Sequence, residues 1–398
     1  MPDSFRVAGL FAGIGGIETG LRHALGDQLE TVLLCESWEP AQQVLKAHFP
    51  EVELHEDVAT LKDLPAQVDL VAAGFPCTDL SQAGRTAGIG GKQSGLVTHL
   101  FEVLRLVDGR GDQLPWLLIE NVPNMLALDR GKAMAYLVKE LDSLGYRWAY
   151  RVVDSRFTGV PQRRRRVLLL ASPTEDPRAV LFADDSEGLD EEGLHEDAFG
   201  FYWTEGRGGL GWARDATPTF KGGSTVGIPS PPAVWLPDEK PGRKVVIPCI
   251  EDGEALQGFE RGWTQAADLG RRNGPRWKLV GNAVTVGVAQ WAAERLLSPG
   301  TFDRPSTEWS RMGAWPTAAW GEGEKIWKVD VSEFPRLAPY THLRELIDVD
   351  KASPLSHRAA SGFWRRLQEG NLGRYPGFRI DVAEHVDLAA TGSLALTV

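Results

Sequence analysis

Cysteine is scarce in this chain of 398 residues, which has only Cys35, Cys77 and Cys249. Three thiols cannot form the disulfide framework of a small secreted domain, and their spacing makes no metal-ligand pair, so no metal centre is expected. No run of 18 or more apolar residues occurs, so no membrane-spanning helix is expected either. The opening residues, Met1-Pro2-Asp3-Ser4, lead almost at once into a strand and carry no signal-peptide pattern. No internal repeat is visible. These absences together point to a reduced, cytoplasmic protein with no membrane partner. Core-forming material is plentiful: 42% of the residues are hydrophobic, and the length suits two or three domains.

A formal charge of −11 argues against a polyanionic partner, but its distribution weakens the argument. Eight acidic residues and no Lys or Arg lie between Asp184 and Asp197, so most of the net charge sits in one stretch. Such a run reads as a solvated, mobile segment. Against it stand two basic clusters, Arg163 to Arg166 and Arg271-Arg272 with Arg276 and Lys278, so local charge permits a nucleic-acid partner.

Val7 to Phe11 reads as a strand, Ala12-Gly13-Ile14-Gly15-Gly16 as a glycine turn and Ile17 to Leu25 as a helix. Strand, glycine turn and helix open a nucleotide-binding α/β unit, in which free N–H groups at the helix start face the ligand. Thr31 to Glu36 is a second strand, and Glu36 lies where an acid for ribose hydroxyls is expected. Trp38 follows and offers a face for stacking on a purine. After a helix from Ala41 to His48 and a short strand from Val52 to His55 come Asp57-Val58. Gly13, Gly15, Glu36 and Asp57 all lie at strand ends, where such sheets bind ligands.

The apolar run Val68 to Ala73 reads as a buried strand that ends in Gly74-Phe75-Pro76-Cys77. Five glycines between Gly84 and Gly95 then make a long mobile loop. A thiol at a strand's carboxyl end with a hinged loop behind it is how an α/β enzyme presents a nucleophile. A small apolar residue closing a strand is the other reading, and this stretch alone leaves both open. Further on, the strand Pro115 to Ile119 ends in Glu120-Asn121-Val122. Helices are expected at Thr98 to Val107 and Lys132 to Leu144, and a strand at Tyr146 to Asp154. Gln162-Arg163-Arg164-Arg165-Arg166 runs into the strand Val167 to Ala171, with Gln162, Arg164 and Arg166 on one side. Read alone, that run also suits an edge strand blunted by charge.

These residues resemble the DNA (cytosine-5) methyltransferases of prokaryotic and phage modification type. The likeness covers roughly residues 5 to 172 and 243 to 297, with six motifs in the family's order. Phe11-Ala12-Gly13-Ile14-Gly15-Gly16 resembles the cofactor turn, Gly74-Phe75-Pro76-Cys77 the catalytic loop and Glu120-Asn121-Val122 the acid motif. Gln162, Arg164 and Arg166 resemble the Gln-x-Arg-x-Arg motif. Leu256-Gln257-Gly258-Phe259 and Gly281-Asn282-Ala283-Val284 resemble the last two. One departure is Thr78-Asp79, where many members have Gln after the cysteine.

The resemblance implies an α/β fold: a Rossmann-like S-adenosylmethionine-dependent methyltransferase sheet with a small, irregular, β-rich target-recognition domain. The expected division is residues 1–172 for the catalytic and cofactor domain, 173–242 for target recognition, and 243–297 for the final motifs, whose closing helix packs back beside the first strand. Residues 298–398 form an extension that the resemblance does not explain. The implied reaction is methylation of cytosine carbon 5 in a specific double-stranded DNA sequence. In it Cys77 adds to carbon 6 of a flipped-out base, Glu120 serves N3 and the 4-amino group, Arg164 holds O2, and Gln162 and Arg166 complete the motif. S-adenosyl-L-methionine is the implied cofactor. Phe11 would meet its adenine or methionine edge, Glu36 the ribose and Asp57 the adenine amino group. Gly13, Gly15, Gly16, Trp38, Val58, Pro76, Leu96, Asn282, Ala283 and Val284 would line the rest. The loop from Thr78 to Gly95 is expected to close over DNA.

The implied partner is double-stranded DNA, met by a nucleoid-associated monomer, with a cognate restriction endonuclease acting separately. Arg207, Arg214, Lys221 and Ser224 in the middle region are candidates to face that DNA. Residues 298–398 read as an appendage on the catalytic domain, or as an extra DNA contact through Arg358, Arg365 and Arg366. A strand is expected at Trp327 to Val331 and helices at His342 to Ile347 and His357 to Gln368, with the last dozen residues disordered. A tRNA-directed relative and a non-catalytic DNA-binding module remain alternatives. An NAD oxidoreductase is disfavoured, because Gly16 directly follows Gly15 and breaks the pyrophosphate-binding spacing.

Overall fold

The computed structural model of the chain describes residues 4–76, 95–204, 209–221, 231–268, 274–310 and 314–392. In chain order the strands are β1 (Phe5–Leu10), β2 (Leu29–Cys35), β3 (Leu54–His55), β4 (Leu70–Ala73), β5 (Trp116–Asn121), β6 (Arg147–Asp154), β7 (Gln162–Arg163), β8 (Arg165–Ser172), β9 (Phe199–Phe201), β10 (Ala213–Arg214), β11 (Thr217–Pro218), β12 (Ala233–Trp235), β13 (Val245–Ile247), β14 (Ser306–Glu308), β15 (Ala318–Glu322), β16 (Lys325–Val329) and β17 (Ser353–Pro354). The α-helices are α1 (Gly16–Leu25), α2 (Glu39–His48), α3 (Leu96–Gly109), α4 (Lys132–Ser143), α5 (Arg178–Leu181), α6 (Ile250–Leu256), α7 (Arg276–Asn282), α8 (Val286–Leu297), α9 (Leu343–Leu346), α10 (His357–Glu369) and α11 (Phe378–Ala390). No helix among the described residues is long and apolar enough to cross a membrane.

The chain divides into two compact units, each assembled from three segments. The first comprises Met1–Phe157, Arg165–Gly188 and Ala283–Leu337; the second comprises Thr158–Arg164, Leu189–Asn282 and Ala338–Val398. These limits differ from the consecutive segments read from the sequence. Residues 243–282 belong with the β-rich unit, and the extension is split near Leu337.

A ten-stranded sheet in the order β14-β16-β15-β6-β8-β5-β4-β1-β2-β3 forms the first unit. Strands β3, β2, β1, β4 and β5 are mutually parallel, and the others join antiparallel. Parallel strands covered on both faces read as continuous apolar runs, and β4 (Leu-Val-Ala-Ala) is buried throughout. Its side chains alternate between two cores. Leu70 and Ala72 join Val7, Leu118, Leu21 of α1 and Val288 and Ala292 of α8. Val71 and Ala73 join Ala8, Leu10, Leu100 and Leu104 of α3 and Leu137 and Leu141 of α4. Helix α8 thus returns to the core that includes β1, as the resemblance implies, with α1 as its main partner.

Strand β8 lies inside the sheet between β5 and β6, so its arginine-rich start does not blunt an edge. Residues 298–337 extend the sheet of the first unit, since β15 pairs with β6 and carries β16 and β14 outward. The acidic run is not wholly solvated either. Asp184 accepts from Trp291 Nε1 at 3.1 Å and pairs with Arg295 at 2.7 Å. Asp185 accepts from Ser332 N–H and pairs with Arg151 and Arg304.

The second unit holds a five-stranded sheet, β10-β9-β12-β13-β17, and the short parallel pair β11-β7. Helices α10 and α11 share its core: Phe363, Leu367, Phe378 and Val382 pack with Phe199, Phe201 and Trp235. Residues 338–398 therefore belong to the β-rich unit. Of the last dozen residues, expected to be disordered, those up to Ala390 continue α11, and residues 393–398 lie outside the described residues. Asp381 on this helix accepts from Trp235 Nε1 at 2.9 Å and from Lys244 Nζ at 2.8 Å, and His385 bonds the Leu355 carbonyl.

Candidate active site

In the first unit the chain builds outward from β1 in two directions, through β2 to β3 and through β4 to β5. The carboxyl ends of β1 and β4 flank this switch point, the place where open α/β sheets bind ligands. Of the cofactor candidates, Phe11, Gly13 and Gly15 follow β1, Glu36 and Trp38 follow β2, Asp57 and Val58 follow β3, and Pro76 follows β4. After β1, Phe11 adopts a left-handed backbone (φ 56°), as do Gly13 (φ 58°) and Gly15 (φ 81°). Glycine reaches this region at no steric cost; for Phe11 it is uncommon. Its ring meets that of Phe75 edge-on, with centroids 6.0 Å apart. Gly16 starts α1.

Glu36 follows β2 and is fixed by backbone donors. Gly13 N–H donates to Oε2 at 2.9 Å and Trp38 N–H to Oε1 at 2.8 Å. Burial pushes its carboxyl above the ordinary value, and bonds from Trp38, Gly13 and Ser37 N–H oppose that rise. A carboxylate has about four lone-pair sites, so these three bonds leave little more than one acceptor site beside half-buried Trp38. Asp57 is exposed and caps a 3₁₀ turn through Ala59 N–H at 2.9 Å, while Val58 is buried beneath it. Leu96 opens α3 and is half-buried.

At the tip of β4, Gly74 brings other candidates together. A Cβ placed there would lie 3.8 Å from the Phe11 carbonyl oxygen and 4.0 Å from both Glu120 Oε2 and Val284 Cγ2. Ala283 is buried beside Val284, and Pro76 is exposed. Cys77 and the loop after it to Ser94 lie outside the described residues, as do Arg207, Ser224, Arg271 and Arg272. Cys35 and Cys249 are not rival nucleophiles. Burial, reinforced for Cys35 by Glu36 and Asp57 and for Cys249 by Asp252, pushes each thiol up to about 12.

Glu120 lies near the end of β5 and is 6% exposed; Arg166, 8% exposed, stands on neighbouring β8. Arg166 Nε is 2.7 Å from Glu120 Oε1. The N–H does not point at that oxygen, so the contact is ionic rather than an aligned hydrogen bond. Next in sequence, Asn121 donates from Nδ2 to the Phe75 carbonyl at 2.9 Å and accepts Val122 N–H at 2.9 Å. It therefore fixes the backbone two residues before Cys77. Sequence reading left Asn121 without a role of its own, although its place beside the strand-tip acid was the available signal.

Gln162 and Arg164 belong to the second unit and serve its own backbone. Gln162 Nε2 donates to the Leu256 carbonyl at 2.9 Å, and its Oε1 accepts Phe220 N–H at 3.4 Å. Arg164 is 1% exposed, and its Nη1 donates to the carbonyls of Gly281 at 3.2 Å and Phe220 at 3.5 Å. Gln257 Nε2 adds a bond to the Val280 carbonyl. Arg164 thus clasps the backbone at Phe220 and at Gly281 of the last motif. Asn282 ends α7 and is exposed. Of the DNA-facing candidates, Arg214 pairs with Glu196 and Lys221 sits over the Tyr202 ring. Arg366 donates to the Tyr202 carbonyl, whereas Arg358 and Arg365 are exposed on α10.

A family model described as C-5 cytosine-specific DNA methylase matches residues 5–189. The Type II methyltransferase M2.BsuMI of Bacillus subtilis (strain 168) is 48% identical over 370 residues, which is 91% of this chain and 92% of that protein. This chain belongs to the C-5 cytosine-specific DNA methylase family. A second relative, the Type II methyltransferase M.BsuFI of Bacillus subtilis, is 33% identical over 164 residues, 40% of this chain and 37% of its own. The family fold recurs in solved structures. The S. pombe Dnmt2 methyltransferase superposes with a TM-score of 0.53 at 18% identity, covering 74% of this chain and 98% of that one. The Entamoeba histolytica methyltransferase EhMeth gives 0.52 at 15% identity, with the same coverage. At such identities the likeness is one of fold alone.

Proposed function

We propose that this family member methylates carbon 5 of cytosine within a specific double-stranded DNA sequence, as a Type II modification enzyme. The observation that carries the proposal is the buried Glu120–Arg166 pair at the β5 tip, with Glu120 close to Gly74, three residues before Cys77. Carbon 5 of cytosine is a poor nucleophile. Attack of the Cys77 thiolate on carbon 6 forms an S–C6 bond and pushes electron density through the ring to carbon 5. Glu120 meets N3 and the 4-amino group, sharing a proton with N3 as charge develops there. Arg166, not Arg164, is the cation that holds Glu120 and reaches the ring's O2 edge. Preorganised donors of this kind are worth ~2.7–4 kcal/mol each. Once carbon 5 carries its methyl group, loss of the carbon-5 proton and breakage of S–C6 free the thiol.

The residues at the switch point fit S-adenosylmethionine: a glycine turn with left-handed backbone, a fixed carboxylate at Glu36 and an aromatic face at Trp38. The group supplies an electrophilic methyl when bound. Glu36 would take its ribose hydroxyls, Asp57 and Val58 its adenine side, and Phe11, Val284 and Leu96 its apolar surfaces. The target base must leave the duplex to reach Cys77, and the second unit is the part proposed to read sequence.

Incubation with duplex DNA containing 5-fluorocytosine and the methyl donor tests the proposal, because fluorine at carbon 5 cannot leave as a proton. Wild-type protein should form a covalent adduct. Cys77→Ala should form none and lose all turnover while still binding S-adenosylhomocysteine by calorimetry. An adduct with the alanine variant would falsify the assignment.

A further inference from the structure

Two histidines and an aspartate from three distant stretches of the second unit meet at one point: His195 from the acidic segment, Asp215 from the turn after β10, and His342 just before α9. A ligand atom from each lies within 4.8 Å of the other two. Asp215 is the fixed member. It is fully buried, its backbone is left-handed (φ 50°), and it accepts N–H bonds from His195 at 3.0 Å and Leu343 at 2.8 Å. Tyr340 OH donates to its carbonyl at 2.7 Å. Such a conformation is costly for a residue other than glycine unless its surroundings hold it.

The side chains around it carry more donor capacity than the protein uses. His342 Nδ1 is 2.6 Å from Asp215 Oδ2. The His195 and His342 rings lie face to face with centroids 3.4 Å apart and planes 4° apart. Asp197 stands beside them, with Oδ2 3.9 Å from His195 Nδ1; its Oδ1 is buried with no hydrogen-bond partner. A buried carboxylate oxygen without a partner is costly, and this one belongs to a carboxylate whose other oxygen faces His195.

We infer that His195, Asp215 and His342 form a site for a divalent transition ion of the zinc type, with Asp197, beside His195, turning in as the fourth donor. Two imidazole nitrogens and two carboxylates suit a tetrahedral zinc ion at ~2.0–2.2 Å. His195 is 46% exposed and free to turn out of the stack toward the ion. His342 stays fixed, and the proton now between Nδ1 and Asp215 moves to Nε2 as the ion takes its place. The neighbouring acids Asp190, Glu191, Glu192 and Glu196 attract a cation to this edge. No spacing motif announces the site, because its donors come from segments that meet only in the fold. The ion would tie residues 195–197, 215 and 342 together and so stabilise the second unit, whether or not the methyl-transfer reading holds.

The test uses the full chain, stripped with chelator and then titrated with zinc by calorimetry and with cobalt by visible absorption. Wild type should take up about one ion per chain, with unfolding shifted upward by several degrees, as follows when a ligand binds only the folded state. The cobalt spectrum should show tetrahedral nitrogen and oxygen ligation without thiolate charge transfer. His195→Gln, at an exposed position, should fold normally and lose at least tenfold in affinity, and His342→Gln should lose more. No uptake by wild type would overturn the inference, as would unchanged affinity in His195→Gln or a thiolate signal.

Discussion

Glu18 lies in the first turn of α1, directly behind the glycine turn, and is buried against β1. A Cβ on Gly9 would fall 2.0 Å from Glu18 Oε1, so the missing side chain at Gly9 makes the room this carboxyl occupies. Its Oε2 is buried without a hydrogen-bond partner. Burial raises its pKa to about 7, against weaker opposition from its own backbone N–H and from Arg22. The folded-state pKa lies above the unfolded value, so the folded state binds this proton more tightly. The stabilisation is complete below the unfolded value of 4.5 and is lost as pH rises through 7. At ~1.4 kcal/mol per unit, the cost to the wild type is about 1 kcal/mol at pH 5 and about 3 kcal/mol at pH 8. Glu18→Gln keeps the shape but cannot ionise. Urea unfolding followed by tryptophan fluorescence, with Trp148 and Trp291 buried in this unit, should show the variant's advantage growing by about 2 kcal/mol between those pH values. An advantage that stays flat across this range would refute the reasoning.

Two further outcomes are expected. Asn121→Ala removes the donor to the buried Phe75 carbonyl, a loss of ~1–3 kcal/mol; single-turnover methyl transfer should slow at least tenfold while calorimetric binding of S-adenosylhomocysteine is unchanged, and an unaltered rate would remove Asn121 from any positioning role. Phe363→Ala hollows the shared core of α10 and the five-stranded sheet at ~3–5 kcal/mol; hydrogen exchange should then speed up in β9 and β12 as well as in the helices, and loss of protection confined to residues 357–390 would show the helices to be a separate layer.

The parallel half of the first unit was legible because strands covered on both faces must be apolar along their whole length. The runs ending at Leu10, Cys35, Ala73 and Ile119 left little choice, and the chemistry-bearing residues follow at their tips. Alternation also matches the burial of Gln162, Arg164 and Arg166 between exposed Arg163 and Arg165. It could not tell that the chain changes unit between Arg164 and Arg165, so that one arginine clasps carbonyls and the other meets a carboxylate. Helix α11 was missed because its buried face carries Asp381 and His385 as well as Phe378 and Val382, so the apolar periodicity is broken. The acidic run read as solvated because its partners Arg151, Arg295 and Arg304 are remote in sequence.

The three-segment construction of the second unit matters to anyone exchanging that unit between relatives. A graft of residues 189–282 alone would carry β9, β12 and β13 into a host whose own residues 338–398 must supply the matching partners for Phe199, Phe201 and Trp235. It would also separate Asp381 from Trp235 and Lys244, leaving the incoming sheet to meet an unfamiliar helix. Recombination within this group of enzymes should therefore succeed when the C-terminal helices travel with the five-stranded sheet, and a crossover placed between them should give insoluble chimeras.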